Sequence, residues 1–159
     1  MYRVRSLISL FSLIILLSAC GYRFRSVLPG NENELRIENI ENESVYAVEN
    51  DIENSLESKF RIRGIKIKGS ASLILKVTLK GIDKRPSLYD ESNIPVKYDV
   101  VIKMCYVLLS GEEKFKDGEV SDRGEYIPVE ISGIEESAVI IGIIDKISDK
   151  IAENCLDQW

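Results

Sequence analysis

The chain has 159 residues, 26 acidic and 21 basic, a formal charge of −5, and no histidine. That length suits one domain with a modest core, the acidic balance argues against nucleic acid as a partner, and the lack of histidine removes Ser-His-Asp and Cys-His catalysis and the commonest metal ligand. No Asp or Glu pair stands in a recognisable catalytic frame, so the expectation is a chain that is not an enzyme, with no catalytic residues, no metal and no cofactor.

At the start, Arg3 and Arg5 form a short positive region, Leu7 to Leu17 an apolar run, and Ser18-Ala19 a small-residue end, which together make a secretory signal. The run is about half the 20 or so residues a membrane-spanning helix needs. Leu17-Ser18-Ala19-Cys20 then places a thiol where cleavage falls, and the motif looks like a bacterial lipobox. In lipoproteins of that kind the thiol takes a diacylglyceryl group, the signal (1–19) is cut off before the cysteine, and the freed amine is acylated. The chemistry needs sulfur, because a thiol is more acidic and more nucleophilic than a hydroxyl. Cys20 is therefore the expected lipidation site, and the covalent lipid is the only non-protein group expected. Each buried methylene contributes about 0.8 kcal/mol, so several acyl chains hold a protein to a bilayer where one is marginal. Loss of Arg3 and Arg5 takes the charge from −5 to −7.

Residues 20–33, with Pro29, Gly30 and two asparagines, read as a tether into a single domain over 34–159. Glu34 to Ile40 alternates as a short strand. Val45, Val48, Ile52, Leu56 and Phe60 share an arc of about 120° at helical spacing, predicting a helix over 45–63. Ser44 is suited to cap its start and Gly64 to end it. Ala71, Leu73, Leu75, Val77 and Leu79 alternate, predicting a strand over about 71–85, with a short lead-in at Ile65 and Ile67. A loop holding Pro86 and Pro95 follows. Val96, Tyr98, Val100, Ile102, Met104, Tyr106 and Leu108 then make the clearest strand, and Ser110-Gly111 marks a turn. Lys114 to Tyr126 reads as a weaker strand interrupted by Gly118 and Gly124. A final helix covers about 135–156, with Ile140, Ile143, Ile144, Ile147 and Ile151 on one face; its AVIIGII run suits deep burial or a partner surface. The order β-α-β-β-β-α predicts an α+β fold, two helices packed on one face of a four-stranded mixed sheet, with a parallel pair across the crossover.

The other face of that sheet is then open. Cys105 has the parity of the open face and Cys155 lies near the core edge of the last helix, so the two thiols are expected to stay apart. A hairpin register suited to the loop sets Lys84 opposite Lys97 and Thr78 opposite Lys103. On that register Lys76, Lys80, Lys84, Lys97 and Lys103 form a stripe that suits phosphates, with Val101, Val107 and Leu109 beside it. A solvated face with lysines that block edge aggregation accounts for the same pattern. Fifteen residues of strand span roughly 50 Å, so the hairpin is expected to project past its helices.

Cys20-Gly21-Tyr22-Arg23-Phe24, then Leu28-Pro29-Gly30, then a strand, Asn42-x-Ser44 and an amphipathic helix, resembles the LptE family of lipopolysaccharide-assembly lipoproteins. The resemblance implies an outer-membrane lipoprotein facing the periplasm, anchored through its lipid, that plugs an LptD-type β-barrel, supports the barrel's assembly and contacts lipopolysaccharide; the lysine stripe would meet the phosphates of lipid A. Gly21 after the lipidated cysteine agrees with that address. The family pattern supplies no catalytic residue. A pilot lipoprotein for another outer-membrane secretion ring is the alternative of a different kind.

Overall fold

The computed structural model describes Leu28, residues 33–128 and residues 135–156; the signal, Cys20 and most of the tether lie outside the described residues. The chain opens with β1 (Glu34–Ile37) and β2 (Glu41–Asn42), followed by α1 (Glu49–Ile62). The helix begins later than the apolar spacing predicts because the residues before it are occupied in turns. The Ser44 N–H donates to Asn42 Oδ1 at 2.8 Å and the Tyr46 N–H to Ser44 Oγ at 3.2 Å. Asn42 Nδ2 reaches on to the Glu49 carboxylate at 2.8 Å. Ser44 thus serves a turn rather than a cap, Val48 is the N-cap without a side-chain bond, and Val45 is 97% exposed instead of lying on the core face. Glu49 and Asp51 in the first turn suit the positive end of the helix dipole. The far end is as predicted: Gly64 takes φ +85°, and its N–H and that of Ile65 donate to the carbonyls of Arg61 and Phe60 at 3.0 Å each. That is a Schellman closure, with Ile65 and Phe60 both buried.

Next come β3 (Lys66–Ile67), β4 (Leu73–Tyr89), β5 (Pro95–Ser110), β6 (Glu113–Tyr126) and α2 (Glu136–Leu156). The sheet runs β3-β1-β4-β5-β6, with β2 also on β4; β1 pairs parallel to both β3 and β4, and β4-β5-β6 is an antiparallel meander. The four predicted strands, β1, β4, β5 and β6, lie side by side in this mixed α+β sheet, and the two short strands extend it on the β1 side. The expected proline-bearing loop is shorter than predicted. Pro86 lies inside β4, opposite Tyr98, and Pro95 opens β5 opposite Tyr89. Proline is tolerated where a strand has no ladder to donate to on one side, and the other neighbours of β4, β1 and β2, reach only as far as Leu79.

One face of the sheet carries the core. Leu73, Leu75, Val77 and Leu79 of β4 and Val100, Ile102, Met104, Tyr106 and Leu108 of β5 are buried against Ile52, Leu56 and Phe60 of α1 and Ile140, Ile143, Ile144, Ile147 and Ile151 of α2. Burial of each such side chain contributes about 1.5–3 kcal/mol. The AVIIGII run is therefore core through Ile140, Ile143 and Ile144, with Ala138, Ile141 and Gly142 exposed. The glycines of β6 do not interrupt the strand; they make room. A Cβ on Gly118 would stand 2.9 Å from the Tyr106 hydroxyl, and one on Gly124 would stand 3.0 Å from Ile143 Cδ1. The helices are tied to each other by Lys59–Asp145 at 2.7 Å and Arg63–Asp149 at 3.0 Å. Among the described residues no helix is long and apolar enough to cross a membrane.

Candidate interaction surface

The open face of β4, β5 and β6 is where the predicted lysine stripe falls, and the hairpin's register decides which lysines reach it. Thr78 faces Cys105, not Lys103, and Lys84 faces Val100, not Lys97. At Thr78 the shift is two residues and keeps its outward parity, whereas at Lys84 the parity is reversed by a bulge between Leu79 and Gly81, which inserts one residue into β4. An inserted residue reverses the alternation beyond it. Lys84 accordingly turns to the helix side, where its ammonium pairs with Glu136 and lies 4.6 Å from the ring centres of both Tyr98 and Tyr126. Tyr46 donates to the same Glu136 at 3.2 Å. Burial disfavours the Lys84 ammonium, but the Glu136 carboxylate outweighs it and leaves the Lys84 pKa above the ordinary lysine value. Burial, reinforced by Glu136, also pushes the Tyr46 pKa up. Lys84 therefore clasps the start of α2 to the three strands and does not belong to the stripe.

The other four lysines do point outward, and three of them meet carboxylates instead of repelling one another. Lys76 pairs with Glu38 at 2.8 Å and Lys97 with Glu125 at 2.7 Å, while Lys80 pairs with Glu43. The hydrogen bond from Lys76 holds the Glu38 carboxyl below its ordinary range, and the one to Glu43 holds the Lys80 ammonium above its own. Such exposed pairs contribute little to stability; their consequence here is a face of mixed charge. Lys103 has no ion pair among the described residues. It borders an open depression of about 670 Å³ over the bulge, together with Lys80, Asp83, Arg85, Asp99 and Val101. Gly81 leaves the space above the bulge clear, with nothing within 4 Å of a Cβ there.

Cys105 and Cys155 are both free thiols, on opposite sides of the sheet as their parity predicts. Burial and the neighbouring Glu119 raise the Cys105 pKa, and burial pushes Cys155 up to about 12. Neither is the low-pKa thiolate that nucleophilic chemistry needs.

The hairpin also projects, as its strand length predicts. Beyond Tyr98, which faces the last residue of β6, Tyr126, the hairpin continues as two strands alone. Every residue of β4 from Arg85 to Tyr89 is exposed. Pro86 is the signal that stands at this departure in the sequence, marking where β4 has one partner strand.

The described fold is shared with solved bacterial lipoproteins. An uncharacterized lipoprotein B from Nitrosomonas europaea superposes with a TM-score of 0.55 at 13% identity, over 82% of this chain and 85% of that one. A minor lipoprotein from Acinetobacter baumannii gives 0.54 at 12% identity, over 77% and 90%. Rare lipoprotein B from Shewanella oneidensis gives 0.50 at 10% identity, over 78% and 91%. No protein-family model and no curated protein matches the chain. At these identities the likeness is one of fold: the chain is similar to bacterial lipoproteins in its layered α+β architecture.

Proposed function

We propose that this chain is a lipid-anchored lipoprotein of the outer membrane, facing the periplasm, that plugs an LptD-type β-barrel of lipopolysaccharide export and supports the barrel's assembly. The observation that carries the reading is the lipobox and the CGYRF segment at Cys20–Phe24 standing directly before a fold of the kind found in bacterial lipoproteins. The open face supports it, because a barrel lumen is polar and this face is one of alternating charges in which three of the four outward lysines are already paired. Contact with lipopolysaccharide phosphates falls to Lys80 and Lys103 beside Arg85, with Lys76 and Lys97 at the margins of the same face and Lys84 no longer part of it.

Affinity purification of the full-length chain from detergent-solubilised outer membranes tests the reading. Co-purification of a barrel protein of lipopolysaccharide export is expected, and it should be lost with Cys20→Ala if the anchor brings the two together. Recovery of a secretin instead would replace this reading with that of a secretion pilot. Lys80→Ala combined with Lys103→Ala should weaken lipopolysaccharide binding while the barrel complex stays intact.

A further inference from the structure

Among the described residues, seven large apolar side chains are exposed, and three of them, Leu88, Tyr89 and Ile94, fall within seven consecutive positions at 55%, 49% and 58% exposure. The other four stand in separate segments. The three sit on a tip that is already ordered. The Asp90 carboxylate accepts from the N–H groups of Ser92 and Ile94 at 2.8 Å each, the Asp90 N–H donates to the Ile94 carbonyl at 2.9 Å, and Asn93 takes φ +64° to close the turn. A surface fixed before binding avoids the ordering cost that a flexible loop would meet on association.

We propose that the tip of the β4–β5 hairpin is a docking element that seats Leu88, Tyr89 and Ile94 in an apolar pocket with a basic rim on a protein partner. From Pro86 to Val96 the chain carries Asp90 and Glu91 and no Lys or Arg. An anionic bilayer attracts basic segments and repels acidic ones, so the charge of the tip matches a cationic rim and not a membrane. The fold places the tip away from the start of the first strand as well. Arg36 in β1 pairs with Ile74 near the start of β4, and Asn33 bonds to Lys66 there. The first strand therefore begins at the end of the sheet opposite Tyr89, about 50 Å away at the usual rise per residue. A second copy is disfavoured because two tips meeting head to head would oppose like charges. A few apolar anchors ringed by polar contacts are the usual core of a protein interface. The inference does not require the partner to be a barrel.

The test replaces Tyr89 with a photo-reactive phenylalanine analogue in the full-length lipidated chain, cross-links it in intact cells, and maps the attached site by mass spectrometry. A single protein is expected, joined at an apolar pocket bordered by Lys or Arg. Leu88→Ser with Ile94→Ser should lower binding to that protein at least tenfold with no change in the unfolding midpoint. Glu91→Lys should weaken it about fivefold, and a Lys→Glu or Arg→Glu change at the mapped rim should restore it. Any of four results overturns the proposal: no cross-link, a cross-link to a second copy, unchanged binding by the double variant, or tip-dependent binding to vesicles of phosphatidylethanolamine and phosphatidylglycerol. A mapped partner other than an outer-membrane barrel would leave the tip assignment standing and remove the proposed function, while a barrel that never touches Tyr89 would do the reverse.

Discussion

The two halves of the β4–β5 hairpin share one continuous ladder and differ in what covers them. From Leu73 to Leu79 every second side chain of β4 is buried under the helices, and β6 flanks β5; from Arg85 to Tyr89 all of β4 is exposed, and β6 ends at Tyr126, level with Pro86. Backbone pairing holds both halves, so it is not what separates them. Side-chain burial separates them, and with it the sensitivity to substitution. The lower half should behave as core and the upper half as a projecting surface.

The sharpest way to break this contrast is to truncate one large side chain on each side of it. Phe60→Ala, which empties a fully buried site beneath the lower half, should cost about 3–5 kcal/mol in urea unfolding, whereas Leu88→Ala should stay within about 0.5 kcal/mol. Comparable losses would mean that the tip packs against something in the folded chain. The glycines sharpen the same point. Gly124→Ala drives a Cβ against Ile143 and should cost about 1–3 kcal/mol, while Gly81→Ala enters open space at the bulge and should be neutral or gain up to about 1 kcal/mol.

Alkaline pH probes the covered side through Cys155. The unfolded thiol ionises near pH 8.5, and burial keeps the folded thiol protonated to about 12. The folded state therefore holds the extra proton between these values, and stability, complete below the lower one, falls as pH rises through the window by up to about a factor of ten in the folding constant per pH unit. Urea midpoints at pH 9 and 10.5 should show that slope in the native sequence and much less of it in Cys155→Ala. The smallest effect concerns Ser148, whose buried hydroxyl has no hydrogen-bond partner among the described residues. Ser148→Ala removes an unsatisfied group and should stabilise by about 1 kcal/mol or less; a loss of stability would show that the hydroxyl is bonded in solution.

Much of the fold could be read before folding was considered. The alternation Leu73–Leu79 and Val100–Leu108 places both strands and their inward sides, because the period of a strand is local geometry. The isoleucine stripe of α2 does the same for the last helix, and Gly64 for the end of α1. Ser44 was a weaker signal, since a serine serves a turn two residues on as readily as a helix cap; the neighbouring Asn42 decided for the turn.

The lysine face was harder, and it marks what each level of description determines. The sequence by itself settled the element order, the one-sided faces, the separation of Cys105 from Cys155 and the outward parity of Lys76 and Lys80, all of which follow from spacing along a single strand or helix. Only the tertiary structure decided that Lys84 turns inward to Glu136 and the two tyrosines, and that Glu38, Glu43 and Glu125 meet three of the outward lysines. The reason is physical: a bulge is set by how two distant strands fit together and reverses every side chain beyond it, and an ion pair forms between residues that only the finished sheet brings side by side.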